Sequence, residues 1–162
     1  MKKVVKFGGS SLASAEQFQK VGEIIHEDPN RVYVVPSAPG KRNSGDKKVT
    51  DMLYACYALA EEDQDFSVIL ADIKARYDDI IAGLKLKTNL DDEFKTIHKN
   101  FKMKAGKDYA ASRGEYLNGI IMADYLSYTF VDAATVVSFD KAGNFDAEKT
   151  NQQMSKKLLK VE

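Results

Sequence analysis

The chain has 162 residues, 44% of them hydrophobic and 30% charged, with 24 basic side chains balanced by 24 acidic ones. That balance describes a globular chain of about one domain with a buried core, and zero formal charge leaves no basic surplus for nucleic acid or an anionic membrane surface. One cysteine, Cys56, excludes an internal disulfide framework and reads as a small buried hydrophobe on a helix, while no run reaches the roughly 18 apolar residues of a membrane span. The N-terminus also lacks the apolar core of a signal peptide, so the expected compartment is the cytoplasm.

Lys3 to Phe7 is β-branched with period-two character and predicts a strand that stops at Gly8-Gly9-Ser10-Ser11. Gly8 and Gly9 are expected to take φ > 0 and bring backbone N–H groups close to an anion, with Lys6 adding a point charge at that mouth. An ordinary Gly-Ser turn is the plainer reading. Ser14-Ala15-Glu16-Gln17 has the form of a capping box and opens a helix from Ala15 to Glu27, with Phe18, Val21, Ile24 and Ile25 at helical spacing. Asp28-Pro29-Asn30 ends it. Arg31 to Val35 is then a second strand, apolar enough to be buried on both faces. Strand, helix and strand make a βαβ unit with parallel neighbours, and such sheets bind ligands beyond the carboxyl ends of their strands. The glycine turn should therefore lie beside Pro36-Ser37-Ala38-Pro39-Gly40. Pro36 removes a backbone donor there and leaves the loop geometry open.

After a polar segment to Lys48, a helix from Thr50 to about Ala60 carries Leu53, Cys56, Tyr57 and Ala60 on one stripe. Thr50 reads as its N-cap, as a ligand contact at a helix start, or as both. Phe66 to Leu84 predicts a longer amphipathic helix with Ile69, Ile73, Tyr77, Ile80 and Ile81 inward, and Leu90 to Lys104 another with Phe94, Ile97, His98, Phe101 and Met103. The lysines from Lys85 through Lys107 mark a solvated face. His26 and His98 have no cysteine or second histidine at ligand spacing, so no protein-built metal site is expected. Lys107 through Leu126 opens a long helix. Gly114 inside it costs about 1 kcal/mol relative to alanine and so implies a close approach, while Glu115 is either a solvated helix acid or a carboxylate waiting for a cationic head group. Lys141–Asn144 predicts a turn, and a last helix runs from near Asp146 to about Lys160. The fold class is α/β: an open, mainly parallel sheet flanked by helices, with a helix-rich insertion.

Lys6-Phe7-Gly8-Gly9-Ser10-Ser11 is similar to the opening motif of the amino-acid kinase family, and of its aspartokinase branch in particular. Ser37-Ala38 followed by Thr50-Asp51 resembles the second motif of that branch, and Ser112-Arg113-Gly114-Glu115-Tyr116-Leu117 its Ser-x-Gly-Glu segment. The three occur in the family's order, with Pro36 a small departure. Phe130–Ala133 and Val136–Asp140 are expected as two short strands only through this resemblance. The resemblance implies phosphoryl transfer from ATP to the β-carboxylate of L-aspartate. It implies Lys6 as the catalytic cation, and Lys6, Phe7, Gly8, Gly9 and Ser10 around the nucleotide phosphates. Ser37, Thr50 and Glu115 would surround the amino acid, and Mg2+ would be held mainly through the phosphates. Residues 1–162 would then be the N-terminal part of a catalytic domain, with the nucleotide-binding half, an Arg-Gly-Gly-Ser-Asp segment and ACT regulatory domains lying outside it. The full-length form is expected to be a homo-oligomer. Two other readings stay open: a family member acting on a different carboxylate or carbamate, and a non-catalytic module serving binding or assembly.

Overall fold

In the computed structural model, which describes residues 1–161, strand β1 (Lys3–Phe7) lies parallel to β2 (Arg31–Pro36), and helix α1 (Ala15–His26) makes the crossover between them. The register sets Val5 opposite Val34 and Phe7 opposite Pro36. A sheet of two strands is marginal by itself, so its stability comes from the helices. Val5, Phe7 and Val34 pack onto the core, whereas Val4 and Val35 on the opposite face are 68% and 47% exposed. The expectation that β2 is buried on both faces is thus corrected. A parallel strand loses both faces to the interior only when helices cover both, and among the described residues they cover one.

Ser14 caps α1 as its sequence predicts, its Oγ accepting from the N–H of Gln17. Phe18, Val21 and Ile25 are buried, but Ile24 is 43% exposed, because the buried stripe on a twelve-residue helix is narrower than four adjacent apolar positions. Four further helices complete this part of the chain: α2 (Val49–Glu61), α3 (Ser67–Gly83), α4 (Asp91–Lys102) and α5 (Lys107–Leu126). Leu53, Tyr57, Ile73, Tyr77, Phe101 and Leu117 form the centre of the core they share. Ile69 is half-buried and Leu70 takes its place inward. Met103 is 69% exposed, since α4 ends at Lys102 and the methionine belongs to its C-terminal cap.

The chain divides into two compact units, Met1–Tyr128 and a second beginning at Thr129. In the second, the two expected short strands do not form. Asp132 caps a single 3₁₀ turn, Ala133–Thr135, by accepting from the N–H of Ala134 at 2.9 Å. Asp140 accepts from the N–H groups of Ala142 and Asn144 at 2.8 and 2.9 Å, closing the Lys141–Asn144 turn and leaving Phe139 with one isolated bridge to Phe145. Local side-chain bonds to the backbone have displaced strand pairing here. Helix α6 (Ala147–Leu158) follows, capped by Asp146.

Candidate active site

The loops that leave β1 and β2 meet backbone to backbone. Ser37 N–H donates to the Phe7 carbonyl at 3.0 Å, and Gly40 N–H to the Gly9 carbonyl at 2.8 Å. A Cβ on Gly9 would fall 2.8 Å from the Ala38 carbonyl oxygen, and one on Gly40 would fall 2.6 Å from the carbonyl carbon of Gly9. Both positions therefore require glycine for space rather than for conformation. The expected φ > 0 at Gly8 and Gly9 is not found. Gly8 has φ −77°, and the positive-φ glycines among the described residues are Gly106 and Gly143. Gly8 instead stands at the head of a short 3₁₀ turn, Gly9–Leu12, with nothing within 4 Å of where its Cβ would be. Ser10 sits exposed in that turn, its carbonyl accepting from Gln17 Nε2 at 3.3 Å.

Lys6 emerges on the solvent side of β1, with its Nζ 3.5 Å from the Ser37 hydroxyl. The next residue, Ala38, donates its N–H to Glu115 Oε1 at 3.4 Å. Lys6, Ser37 and Glu115 thus stand in succession along one rim, although Glu115 is 77 positions from Ala38 in the chain. Gly114 makes this possible: a Cβ there would lie 2.6 Å from the Ala38 methyl carbon, so only glycine lets α5 approach the loop so closely. Thr50 joins less directly. The N–H of Val49 donates to the Pro39 carbonyl at 3.1 Å, hanging the start of α2 from the same loop. Thr50 is the second residue of that helix, not its cap; Lys48 occupies the cap position without a side-chain bond. Arg113, beside Gly114 in sequence, is turned away and stacked between the rings of Tyr109 and Tyr116 at 4.7 and 4.3 Å.

Three supporting residues carried weaker signals in the sequence. Arg76 is 5% exposed and donates to the carbonyls of Gly40 at 2.8 Å and Lys47 at 3.0 Å, pairing also with Asp46 at 3.2 Å. It pins both ends of the loop between Gly40 and Lys47. A cation three residues after Ile73 and four before Ile80, on a buried stripe, was the available clue. Burial, then the charge of Arg42, pulls the Arg76 guanidinium below its ordinary value, while the hydrogen bond from Arg42 holds the Asp46 carboxyl well below the usual range. Tyr77 donates its hydroxyl to the Gly114 carbonyl at 2.8 Å, and full burial keeps that phenol neutral. Asn118, 0% exposed, donates Nδ2 to the Ser37 carbonyl at 2.6 Å. Cys56 is buried under Phe66, with burial pushing its thiol up to about 12, so it is no nucleophile at neutral pH.

Among the described residues, no group of three His, Cys, Asp or Glu side chains is placed to hold a metal ion. Among the described residues, no helix is long and apolar enough to cross a membrane.

Residues 1–161 match the amino acid kinase family, and the chain belongs to it. Among its curated relatives is aspartokinase 3 of Bacillus subtilis, 36% identical over 140 residues that make up 83% of this chain and 31% of that protein. Among solved structures, the aspartate kinase of Clostridium acetobutylicum superposes with a TM-score of 0.94 at 46% identity, over 99% of this chain and 37% of that one. Aspartokinase III of Escherichia coli, solved with aspartate and ADP, shares the fold at a TM-score of 0.76 and 20% identity, over 98% of this chain and 38% of that one. The chain therefore spans about a third of the length of these relatives.

Proposed function

We propose that this chain supplies the amino-acid-holding, γ-phosphoryl-facing side of an enzyme that transfers a phosphoryl group from ATP to the β-carboxylate of L-aspartate. The product, 4-phospho-L-aspartate, opens the route to lysine, threonine and methionine. The observation that carries this reading is the run of a cation, a hydroxyl, a peptide N–H and a carboxylate along one rim: Lys6, Ser37, Ala38 and Glu115. The aspartate kinase relatives at 36% and 46% identity support it.

A carboxylate acceptor is ionised at neutral pH, so no general base is required. Its oxygen forms a bond to the γ-phosphorus while the bridging P–O bond to the β-phosphate breaks, and ADP leaves with the electron pair. Positioning and charge then carry the catalysis. Lys6 neutralises the γ-phosphoryl oxygens as charge shifts onto them, with the amides of Gly8 and Gly9 and the neighbouring Phe7 and Ser10 shaping that mouth. Glu115 takes the α-ammonium of the amino acid by a charge-assisted hydrogen bond, and Ser37 and Thr50 hold its remaining polar atoms. Magnesium would be held mainly by the nucleotide phosphates and would supply neutralisation of part of their charge; among the described residues no group of three His, Cys, Asp or Glu side chains is placed to hold it. The full-length enzyme is read as a homo-oligomer acting in the cytoplasm.

An ADP-release assay on the protein at the length of its relatives tests the reading. Aspartate should be preferred over glutamate derivatives and carbamate, and Lys6→Met should lower kcat/KM about 100-fold, as removal of one oriented donor does. Preference for a different acceptor would assign another branch of the family. Absence of aspartate-dependent ADP release together with absence of aspartate binding would sink the proposal.

A further inference from the structure

The Ser37–Ala38 peptide group is gripped at both of its polar ends by α5. Its carbonyl accepts from Asn118 Nδ2 at 2.6 Å, and its N–H donates to Glu115 Oε1 at 3.4 Å. Residues three apart on a helix lie on one face, so this pair clamps a single peptide plane. Gly114 brings the helix against the Ala38 methyl, and the Phe7 carbonyl ties the preceding N–H of Ser37 at 3.0 Å. Asn118 is 0% exposed, and its Oδ1 has no hydrogen-bond partner among the described residues. A buried carbonyl oxygen without a partner is costly. An apolar side chain of similar size would avoid that cost, so what the amide contributes at this position is its donor end.

We infer that Asn118 is a positioning residue for the amino-acid subsite. It holds the Ser37–Ala38 peptide in the one orientation that keeps the Ala38 N–H on Glu115 and the Ser37 hydroxyl beside Lys6. Rotation of that peptide would turn its carbonyl oxygen towards the Glu115 carboxylate, two acceptors face to face, and would displace the group meant for the substrate ammonium. Asn118 therefore sets the affinity for the amino acid and leaves nucleotide affinity alone. This rests on the roles proposed above for Ser37 and Glu115.

The test uses Asn118→Ala, which removes the amide, and Asn118→Leu, which removes it while keeping the volume. Amide hydrogen exchange is read on the chain itself, and steady-state kinetics on the protein at its relatives' length. Exchange at Ala38 should accelerate about tenfold in both variants, the equivalent of one hydrogen bond, with Leu117 and Ile121 on the same helix unchanged. The KM for aspartate should rise by about the same tenfold factor, while kcat and the KM for ATP stay within about twofold. Unchanged exchange at Ala38 in a folded Asn118→Ala protein overturns the inference, as does a parallel rise in both KM values. Faster exchange at Ala38 in a protein whose unsubstituted form phosphorylates no amino acid would overturn the proposed function and leave the clamp standing.

Discussion

Replacing Gly114 by alanine sets two effects of known size against each other. Alanine at an interior helix position is favoured over glycine by about 1 kcal/mol, so helix propensity alone predicts a more stable protein. The added methyl, however, arrives 2.6 Å from the Ala38 methyl carbon and 3.4 Å from Leu53 Cδ1. The Ala38 methyl is the close partner and cannot swing aside. It is fixed to a backbone held by Phe7, Glu115 and Asn118. Overpacking of this kind costs about 1–3 kcal/mol, so the clash should win by about 1 kcal/mol, lowering a urea midpoint by roughly 0.5 M at the usual slope for small proteins. Every one of the eight tyrosines lies in the unit Met1–Tyr128, and the chain has no tryptophan, so tyrosine fluorescence reports that unit alone. The partner variant Ala38→Gly removes the methyl that is struck. In a double-mutant cycle, Gly114→Ala in the Ala38→Gly background should regain the propensity gain, giving a coupling of about 1–2 kcal/mol. A midpoint that rises in the single Gly114→Ala variant, or a coupling near zero, would refute the close approach of α5 to the loop.

Arg76→Leu should destabilise the protein by about 2–4 kcal/mol in urea unfolding, because it strands the Gly40 and Lys47 carbonyls while Asp46 keeps Arg42; a loss below about 0.5 kcal/mol would show that the loop needs no anchor. The folded Asp46 carboxyl ionises below the unfolded value of about 3.9, so its contribution is complete above that pH and is lost as acid is added below it. Urea midpoints followed from about pH 6 to about pH 2 should fall less steeply in Asp46→Asn, and identical slopes would remove Asp46 from the account. Lys85 sits at φ 57° immediately after the cap of α3, so Lys85→Gly should raise stability by about 0.5–1 kcal/mol in the same assay; a loss would mean that the lysine side chain contributes more than its backbone strain costs.

Elements whose signals are local were legible in the sequence. The Ser14 cap and the stripe Leu53, Cys56, Tyr57 and Ala60 depend on residues within one or two helical turns of each other, and both are found, although the Gln17 side chain bonds the Ser10 carbonyl instead of completing a capping box. The βαβ order follows from three such local elements in turn. The strands that the family resemblance implied at Phe130–Ala133 and Val136–Asp140 do not form, because a resemblance carries over an order of elements and not the local bonds of these particular residues. Asp132 and Asp140 offered the backbone a nearer bond. Of the readings open for Thr50, the cap is the one the structure removes: the helix begins one residue earlier, where the Val49 N–H can reach Pro39.

The site follows a different logic, and it explains why three motifs could be found while the groups that hold them could not. Lys6, Ser37 and Glu115 are polar residues in recognisable settings, yet their arrangement is fixed by backbone approaches at Gly9, Gly40 and Gly114, which depend on what a distant segment brings against them. In the turn at Gly8 and Gly9 glycine suggested φ > 0, its commonest use there, while Gly114 inside a helix already implied a close approach that the structure bears out. At Gly9 the absent Cβ matters instead, and which segment comes close at Gly9, Gly40 or Gly114 is revealed only by the partner loop or helix. Asn118 and Arg76 show the same effect in polar form, each buried on an otherwise apolar face and each donating to a carbonyl tens of residues away. A polar residue on a predicted core stripe is therefore the sequence's nearest pointer to a loop being held. Applied to α3 and α5, that rule points to Arg76 and Asn118, two side chains that donate to carbonyls of the segment running from Ser37 to Lys47.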